Sequence, residues 1–186
     1  SHAAGWDRYL GRIAASARGE APPAPLILSP AAEIASTLNT ALVQLRHVIK
    51  GCSEDAWASE CPGEGRTVSM LAVHIVGHLV VGELGIATSE GRRAPLADLT
   101  GDQISVNADA LLAMHAGITR ADALQMLLEE GPRVVELIRG IPDEALERSQ
   151  PMAFAGGAPL TAEQVLQGPL LADITGHLAK LQAACS

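Results

Sequence analysis

Apolar residues recur at helical spacing over several long stretches of this chain, and this periodicity constrains the fold more than any other feature. The first stretch runs from about Pro30 to Ile49, and its apolar stripe consists of Ile34, Leu38, Leu42, Leu45 and Val48. Of the 186 residues, 48% are hydrophobic, but only two Trp, one Tyr and one Phe are present. The core must therefore be built mainly from Leu, Ala, Val and Ile, and alanine and leucine favour helix.

Three further long helices are predicted from the same periodicity and from capping residues. The second begins near Thr67 and ends before the loop SEGRRAP, and the third begins near Asp102 and is broken around Gly117. The last begins with a capping box, which Thr161 and Gln164 form together. Four long helices with little β-type alternation predict an all-α domain, and a four-helix bundle is the most economical arrangement.

Two Gly-Pro pairs lie inside these predicted helices, at Gly131–Pro132 in the third and at Gly168–Pro169 in the last. Proline has no backbone N–H, and its ring clashes with the carbonyl group four residues earlier. We therefore expect the third helix to be kinked at the first pair and the last helix to be kinked or restarted at the second.

Residues 1–30 differ from the rest of the chain and are predicted to form an N-terminal arm ahead of a helical domain of residues 31–186. One side of a short helix in this arm would carry Trp6, Tyr9, Leu10 and Ile13. The sequence that follows, GEAPPAPLILSP, is rich in proline and favours an extended chain. The arm would dock on the domain, dock on a partner chain, or be partly disordered.

Charge and composition exclude several classes of function. The net charge is −8, and no basic patch with interleaved aromatic residues is present, so nucleic acid is not expected as a partner. No uninterrupted apolar run is long enough to cross a membrane and no export signal is recognisable, which predicts a soluble, cytoplasmic protein. The three cysteines, Cys52, Cys61 and Cys185, are odd in number and lack C-x-x-C spacing, which argues against a disulfide framework.

Two histidines, His74 and His78, lie one helical turn apart in the otherwise apolar sequence SMLAVHIVGHLVVGE. The spacing is that of a zinc-protease helix, but the glutamate that serves as general base in such a helix is missing. A single buried histidine that bonds to a backbone carbonyl would need no further explanation. Two on one apolar stripe each need polar partners that an apolar core cannot supply.

The last predicted helix carries a second polar pair, Asp173 and His177, which is also spaced i, i+4 on an apolar stripe. Burying a carboxylate is costly unless it meets a cation, a metal or strong hydrogen-bond donors. Bundle cores build metal sites from side chains on facing helices, and two histidines with one carboxylate would leave open coordination positions. The alternative is a hydrogen-bonded Asp–His pair that joins the two helices without a metal.

The sequence TVSMLAVHIVGHLVVGE, following the turn CPGEGR, resembles the start of the second helix in the DinB-like superfamily. The sequence DQISVNADALLAMHA resembles the third helix of that family, where Asn107 would be a characteristic asparagine. The resemblance extends over roughly residues 31–184. It implies a four-helix bundle related to thiol-dependent enzymes such as the mycothiol-dependent maleylpyruvate isomerases.

Members of the family commonly bind a divalent metal through three histidines. The resemblance implies that His74 corresponds to the first of these ligands and His177 to the last. Asp173 stands where the middle histidine usually lies, so the implied ligand set is His74, Asp173 and His177. His78 would then be a supporting group, an alternative ligand or a proton shuttle. The aromatic residue often found before the second helix is missing, and Arg66 and Thr67 stand there instead.

These features predict a metal-dependent enzyme that uses zinc, nickel or manganese together with a low-molecular-weight thiol. The metal would lower the pKa of the thiol, and the substrate would be a small electrophile; hydrolysis of a small molecule is the variant with the same site. A different hypothesis is a non-catalytic binding or dimerisation module. In this case the chain would form a homodimer, the Asp–His cluster would be structural, and no metal would be bound. A small-ligand sensor is a third.

Overall fold

The computed structural model of the protein describes residues 28–186, which are mostly helical. The all-α class predicted from the sequence is confirmed in this part of the chain. The predicted helix of the N-terminal arm, with Trp6 and Tyr9, lies outside the described residues.

The helices are joined by short loops and two small antiparallel hairpins. The helices are α1 (Pro30–Gly51), α2 (Glu54–Ala58), α3 (Val68–Gly77), α4 (Leu79–Ser89), α5 (Gly101–Met114), α6 (Arg120–Arg139), α7 (Asp143–Leu146), α8 (Ala162–Val165) and α9 (Asp173–Ala184). The hairpins pair β1 (Glu60–Cys61) with β2 (Arg66–Thr67) and β3 (Ser149–Pro151) with β4 (Pro159–Thr161).

Local capping signals place the starts of the long helices where the sequence predicts them, although the predicted second helix is divided at His78. The side chain of Thr67 accepts a hydrogen bond from the backbone N–H of Met70 and so caps α3. Thr161 and Gln164 form the predicted capping box at the start of α8. The predicted third helix is interrupted at Gly117, whose φ of 76° is in the left-handed region.

The core is built from aliphatic side chains, as the composition requires. Helix α1 packs along α6, α3 packs against α9, and α4 packs against α6 and α8. The largest fully buried side chains are Leu38, Leu45, Ile49, Leu71, Ile75, Leu84, Ile138, Met152, Leu166, Leu170, Ile174 and Leu181. The helix that holds His74 is therefore in direct contact with the helix that holds His177.

The two Gly-Pro pairs have different effects. Helix α6 continues through Pro132 from Arg120 to Arg139, so this pair does not end the helix. Between α8 and α9, the chain forms a π-helical segment, Leu166–Ala172, which contains Pro169. A π-helical turn accommodates a residue that cannot join the i to i−4 hydrogen-bond ladder, and such turns often occur at functional sites. This segment sets the orientation of Asp173, the first residue of α9.

Helix α4 and the π-helical segment approach each other closely at Gly85. A Cβ atom added to Gly85 would lie 2.5 Å from Cδ2 and 2.6 Å from Cγ of Leu166, which is itself fully buried. A larger residue would clash here, because the overlap reaches the branch point of a buried side chain and not only its flexible end. The close approach holds the segment that follows α8 against the helix that follows His78.

We expect Gly85→Ala to lower the free energy of unfolding by about 1–3 kcal/mol, because the added methyl group overpacks the contact with Leu166. Urea unfolding monitored by circular dichroism measures the effect. Gly176→Ala is the matched control, since Gly176 is also helical but has no atom within 4 Å of the added Cβ. The control should be neutral or slightly stabilising, and equal effects of the two substitutions would contradict the packing argument.

A disulfide joins Cys52, directly after α1, to Cys185, directly after α9, and corrects the expectation that the chain contains none. Their Cα atoms lie 4.9 Å apart, within the usual range for a disulfide. The two residues are 133 positions apart, so short-range cysteine spacing carries no information about the pair. Cys61 is a free, buried thiol.

We expect Cys52→Ser to lower the free energy of unfolding by about 2–4 kcal/mol, because the disulfide closes a very long loop and restricts the unfolded chain. Urea unfolding with and without a reductant measures the effect. Reductant should destabilise the wild-type protein by a similar amount and should have no further effect on Cys52→Ser. A wild-type transition that is insensitive to reductant would contradict the disulfide.

One stretch, Val68–Ser89, is long and apolar enough to cross a membrane by length and composition, with a mean hydropathy of 1.8. In the fold, 61% of the apolar 18-residue window within this stretch is buried inside the protein, and a core helix of a soluble protein passes the same test. The finding is weak evidence for a membrane span. The cytoplasmic location stays a prediction, and a structural disulfide is unusual in that compartment.

Candidate metal centre

Three histidines, His74, His78 and His177, converge between α3 and α9. Each offers a ring nitrogen, and these nitrogen atoms all lie within 4.8 Å of one another. The ring of His74 is nearly perpendicular to the other two, with centroid distances of 4.5 Å to His78 and 4.9 Å to His177. The structure thus brings together the two predicted ligands His74 and His177, and it adds His78, which the sequence suggested only as a supporting or alternative ligand.

The backbone of α3 orients the ring of His78. This residue lies at the junction of α3 and α4, and its Nδ1 is 2.9 Å from the carbonyl oxygen of His74. A carbonyl oxygen only accepts, so Nδ1 carries the proton and donates it, which leaves Nε2 as the free nitrogen. Ligating histidines are commonly fixed in this way, through the ring nitrogen that does not face the metal.

A buried carboxylate orients the third ring, that of His177. Glu64 Oε1 lies 3.3 Å from His177 Nδ1 and 2.5 Å from Lys180 Nζ, and the Glu64 side chain is only 5% exposed. Burial raises the pKa of Glu64, but the hydrogen bond and charge of Lys180 and the nearby His177 more than offset this, so the pKa lies below its usual value. Glu64 therefore stays ionised and holds His177 with Nε2 free.

The hairpin between β1 and β2 delivers Glu64 to this position. Gly63 and Gly65, on either side of it, have φ values of 75° and 63°, which the tight turn requires and which glycine adopts without strain. Sequence analysis identified CPGEGR as a turn but not the role of its glutamate. The glycines on both sides of Glu64 were the feature of the sequence that could have indicated a tight turn presenting this side chain.

His74 is the most strongly perturbed of the three histidines. Desolvation by burial lowers its pKa to about 3, and the charges of His78, Arg66 and His177 act in the same direction. The imidazole is therefore neutral at pH 7, which is the form that binds a metal. Arg66 contributes a buried guanidinium nitrogen, Nη1, which has no hydrogen-bond partner among residues 28–186.

Asp173 lies beside the three histidines, but its carboxylate oxygens do not belong to the group of ligand atoms that lie within 4.8 Å of one another. Its Oδ2 is 3.7 Å from His78 Nε2, and its side chain is 55% exposed. The assignment of Asp173 as a ligand stays a prediction, and the geometry gives His78 the more central position. At this distance the carboxylate is next to the His78 ring but does not form a hydrogen bond with it.

The other residues that the sequence singled out lie elsewhere. His47 is exposed on α1, and His115 follows α5, where its Nδ1 lies 2.9 Å from the carbonyl oxygen of Leu111. Cys61 is fully buried in β1, with its Sγ 3.9 Å from the carbonyl oxygen of Lys180, and burial raises its pKa. Asn107, on α5, lines a cavity next to the histidines.

This cavity has a volume of about 520 Å³ and reaches His74, His78 and Asp173. Most of the remaining lining is aliphatic and comes from α4, α5 and the connecting segments. A cavity of this size and composition is typical of small-molecule sites. His74 and His78 are therefore at the wall of a space that a small ligand can enter, and the ring of His177 lies 4.9 Å from that of His74.

Comparisons with protein-family models, with characterised proteins and with solved structures find no match for this chain. The resemblance to the DinB-like superfamily thus rests on its sequence motifs and stays a prediction.

The donor set fits a divalent metal. Imidazole nitrogen is a preferred ligand for zinc and nickel, and three protein ligands with an open position are the usual arrangement of a catalytic zinc site. His78 and His177 each present Nε2 because their Nδ1 atoms face the His74 carbonyl and Glu64. These residues would hold the ion at the cavity wall.

The lowered pKa of His74 predicts that the metal-free protein loses stability in acid. The unfolded chain takes up a proton near pH 6.5 and the folded chain only near pH 3, so stability is complete above about pH 6.5 and falls as the pH falls toward 3. Urea unfolding in the presence of a chelator, at about pH 7.5 and about pH 5, measures this loss. His74→Leu should reduce the difference between the two pH values, and an unchanged difference would contradict the assignment.

Proposed function

We propose that the protein is a metal-dependent enzyme with the four-helix-bundle fold of the DinB-like superfamily. Three imidazole rings that converge, two of them at the wall of an apolar cavity, are the observation that carries this proposal. A structural cluster would satisfy its polar atoms internally, whereas two of these rings are oriented so that Nε2 stays free. A bound divalent metal would act as a Lewis acid and lower the pKa of a thiol or water at its open position.

The surrounding residues supply the remaining parts of such a site. His74, which is neutral because of its burial, and His78 would bind the metal from α3, and His177 would bind it from α9. Glu64 positions His177, and Asp173 is either a further ligand or a proton acceptor at the cavity edge, 3.7 Å from His78. Each of these proposed roles is supported by a contact described above.

The charge distribution supports a thiol as the second component. Arg66, whose charge acts on His74, has an unpartnered Nη1 that would donate a hydrogen bond to an anion at this end of the site. A thiolate is such an anion, and it is also a soft ligand that zinc and nickel accept. The reaction would be the transfer of the thiol to a small electrophile, or an isomerisation that the thiol assists; hydrolysis is the variant without a thiol.

Metal binding is tested on protein purified without nickel affinity. We expect one equivalent of zinc to bind and to raise the unfolding free energy, by about 2.7 kcal/mol at a hundredfold excess over the dissociation constant. His74→Ala and His177→Ala should abolish stoichiometric binding, and Glu64→Gln should weaken it about 10–100-fold through loss of ring orientation. Calorimetric titration and elemental analysis measure these effects.

The same titration decides the third ligand. If the three histidines bind the metal, His78→Ala abolishes binding and Asp173→Ala reduces it only slightly; the reverse result would identify the carboxylate as the ligand. His47→Ala is the control, since it removes an exposed histidine distant from the site. No bound metal and no thermal stabilisation by zinc, nickel or manganese would contradict the proposal and favour a non-catalytic binding module.

Cobalt-substituted protein tests the thiol. A small thiol that binds the metal as thiolate should produce a sulfur-to-cobalt charge-transfer band, because cobalt reports its ligands by absorption. Arg66→Gln should weaken thiol binding without loss of the metal. A protein that binds cobalt but shows no such band with cysteine, glutathione or mycothiol would favour the hydrolytic variant.

A further inference from the structure

The polar groups of the cavity described above are concentrated at one end. His74, His78 and Asp173 form that end, and Asn107 is the other polar side chain in the lining. No lysine or arginine lines the cavity within residues 28–186. A ligand that carried a negative charge in the body of the cavity would therefore lose its hydration and gain no counter-charge, which is strongly unfavourable.

The outer wall of the cavity is helix α5, which is thinly packed. Leu112 is the one residue of this helix that is buried. Ile104, Ala108 and Leu111 are spaced i, i+4 and i+7 on one face, line the cavity and are each only half-buried. The apolar face of α5 thus borders the cavity rather than a set of packed side chains.

The opposite wall is also apolar and is more fully buried. Leu84, on α4, is fully buried and packs with Val81, and Phe154 closes the side next to the second hairpin. An apolar ligand between α4 and α5 would complete the burial of both walls. Each apolar group that it transfers from water into this space contributes to binding in proportion to its area.

We infer that the cavity takes a ligand whose body is uncharged and apolar, such as an aliphatic chain or an aromatic ring, and whose single polar end reaches His74 and His78. This inference rests on the proposed function only for the polar end, which would be the electrophilic group, for example a carbonyl. The body lies between α4 and α5 whether or not a metal is present. A polar thiol would then reach the histidines from the side of Asp173, whose exposure marks the open edge.

The probe for this inference is N-phenyl-1-naphthylamine, an uncharged aromatic dye whose fluorescence rises in apolar surroundings. We expect saturable binding to the metal-free protein and displacement by straight-chain alcohols. Each added methylene should tighten displacement roughly three- to fourfold until the chain outgrows the cavity. Carboxylates of the same chain lengths should bind at least tenfold more weakly, because the polar end of the cavity carries the Asp173 carboxylate and no lysine or arginine lines the cavity within residues 28–186.

Two substitutions on α5 distinguish dye binding in the cavity from dye binding on the helix surface. Ala108→Phe places a ring inside the cavity and should weaken dye binding at least tenfold. Ala113→Phe adds the same ring to the exposed side of α5 and should leave binding unchanged. Unfolding curves of both variants check that the fold is intact, and the alcohol series on the wild-type protein tests the inference independently of either variant.

Three results would overturn the inference: no saturable dye binding, equal binding by Ala108→Phe and Ala113→Phe, or carboxylates that bind as tightly as alcohols. Because these measurements use metal-free protein, they are independent of the zinc titration. Zinc binding without dye binding would reject the apolar ligand and leave the metal site intact. Dye binding without zinc binding would support the apolar ligand and reject the metal-dependent enzyme.

Discussion

The carboxylate of Glu64 is almost completely buried, and the arrangement of the site depends on how this charge is compensated. A buried carboxylate must be paired and hydrogen-bonded, and both partners, His177 and Lys180, come from α9. Glu64 lies in the hairpin that leads directly into α3, so its pairing fixes the start of α3 against α9. The contact that stabilises the charge therefore also brings His74 and His78 beside His177.

Features that depend on neighbouring residues were predictable from the sequence, and the structure confirms them. The helix start near Thr67, the capping box at Thr161 and the break at Gly117 each depend on residues within a few positions of one another. The partner of Glu64 was not predictable, because His177 is 113 positions away. The disulfide was missed for the same reason, and the hairpins of two or three residues are too short to show strand periodicity.

The composition of the site was predicted more completely than its geometry. Spacing alone placed His74, His78, Asp173 and His177 on apolar stripes of two helices. It did not determine which of them converge, since that depends on the rotation of each helix about its axis. The backbone carbonyl of His74 fixes the orientation of the His78 ring. Every residue has such a carbonyl, so the sequence does not show which one will be the partner.

The π-helical segment before α9 can be recognised from the spacing of the apolar residues. Leu166, Leu170, Ile174 and Leu178 follow one another at intervals of four, and each is at most 3% exposed. In a regular α-helix, a step of four residues turns the side chain about 40° past its predecessor, so a long series of such steps would leave the core. The π-helical segment has more residues per turn and absorbs this drift. An unbroken repeat of four apolar positions around a proline is thus a sequence signature by which a site-orienting π-helical turn can be sought in other helical proteins.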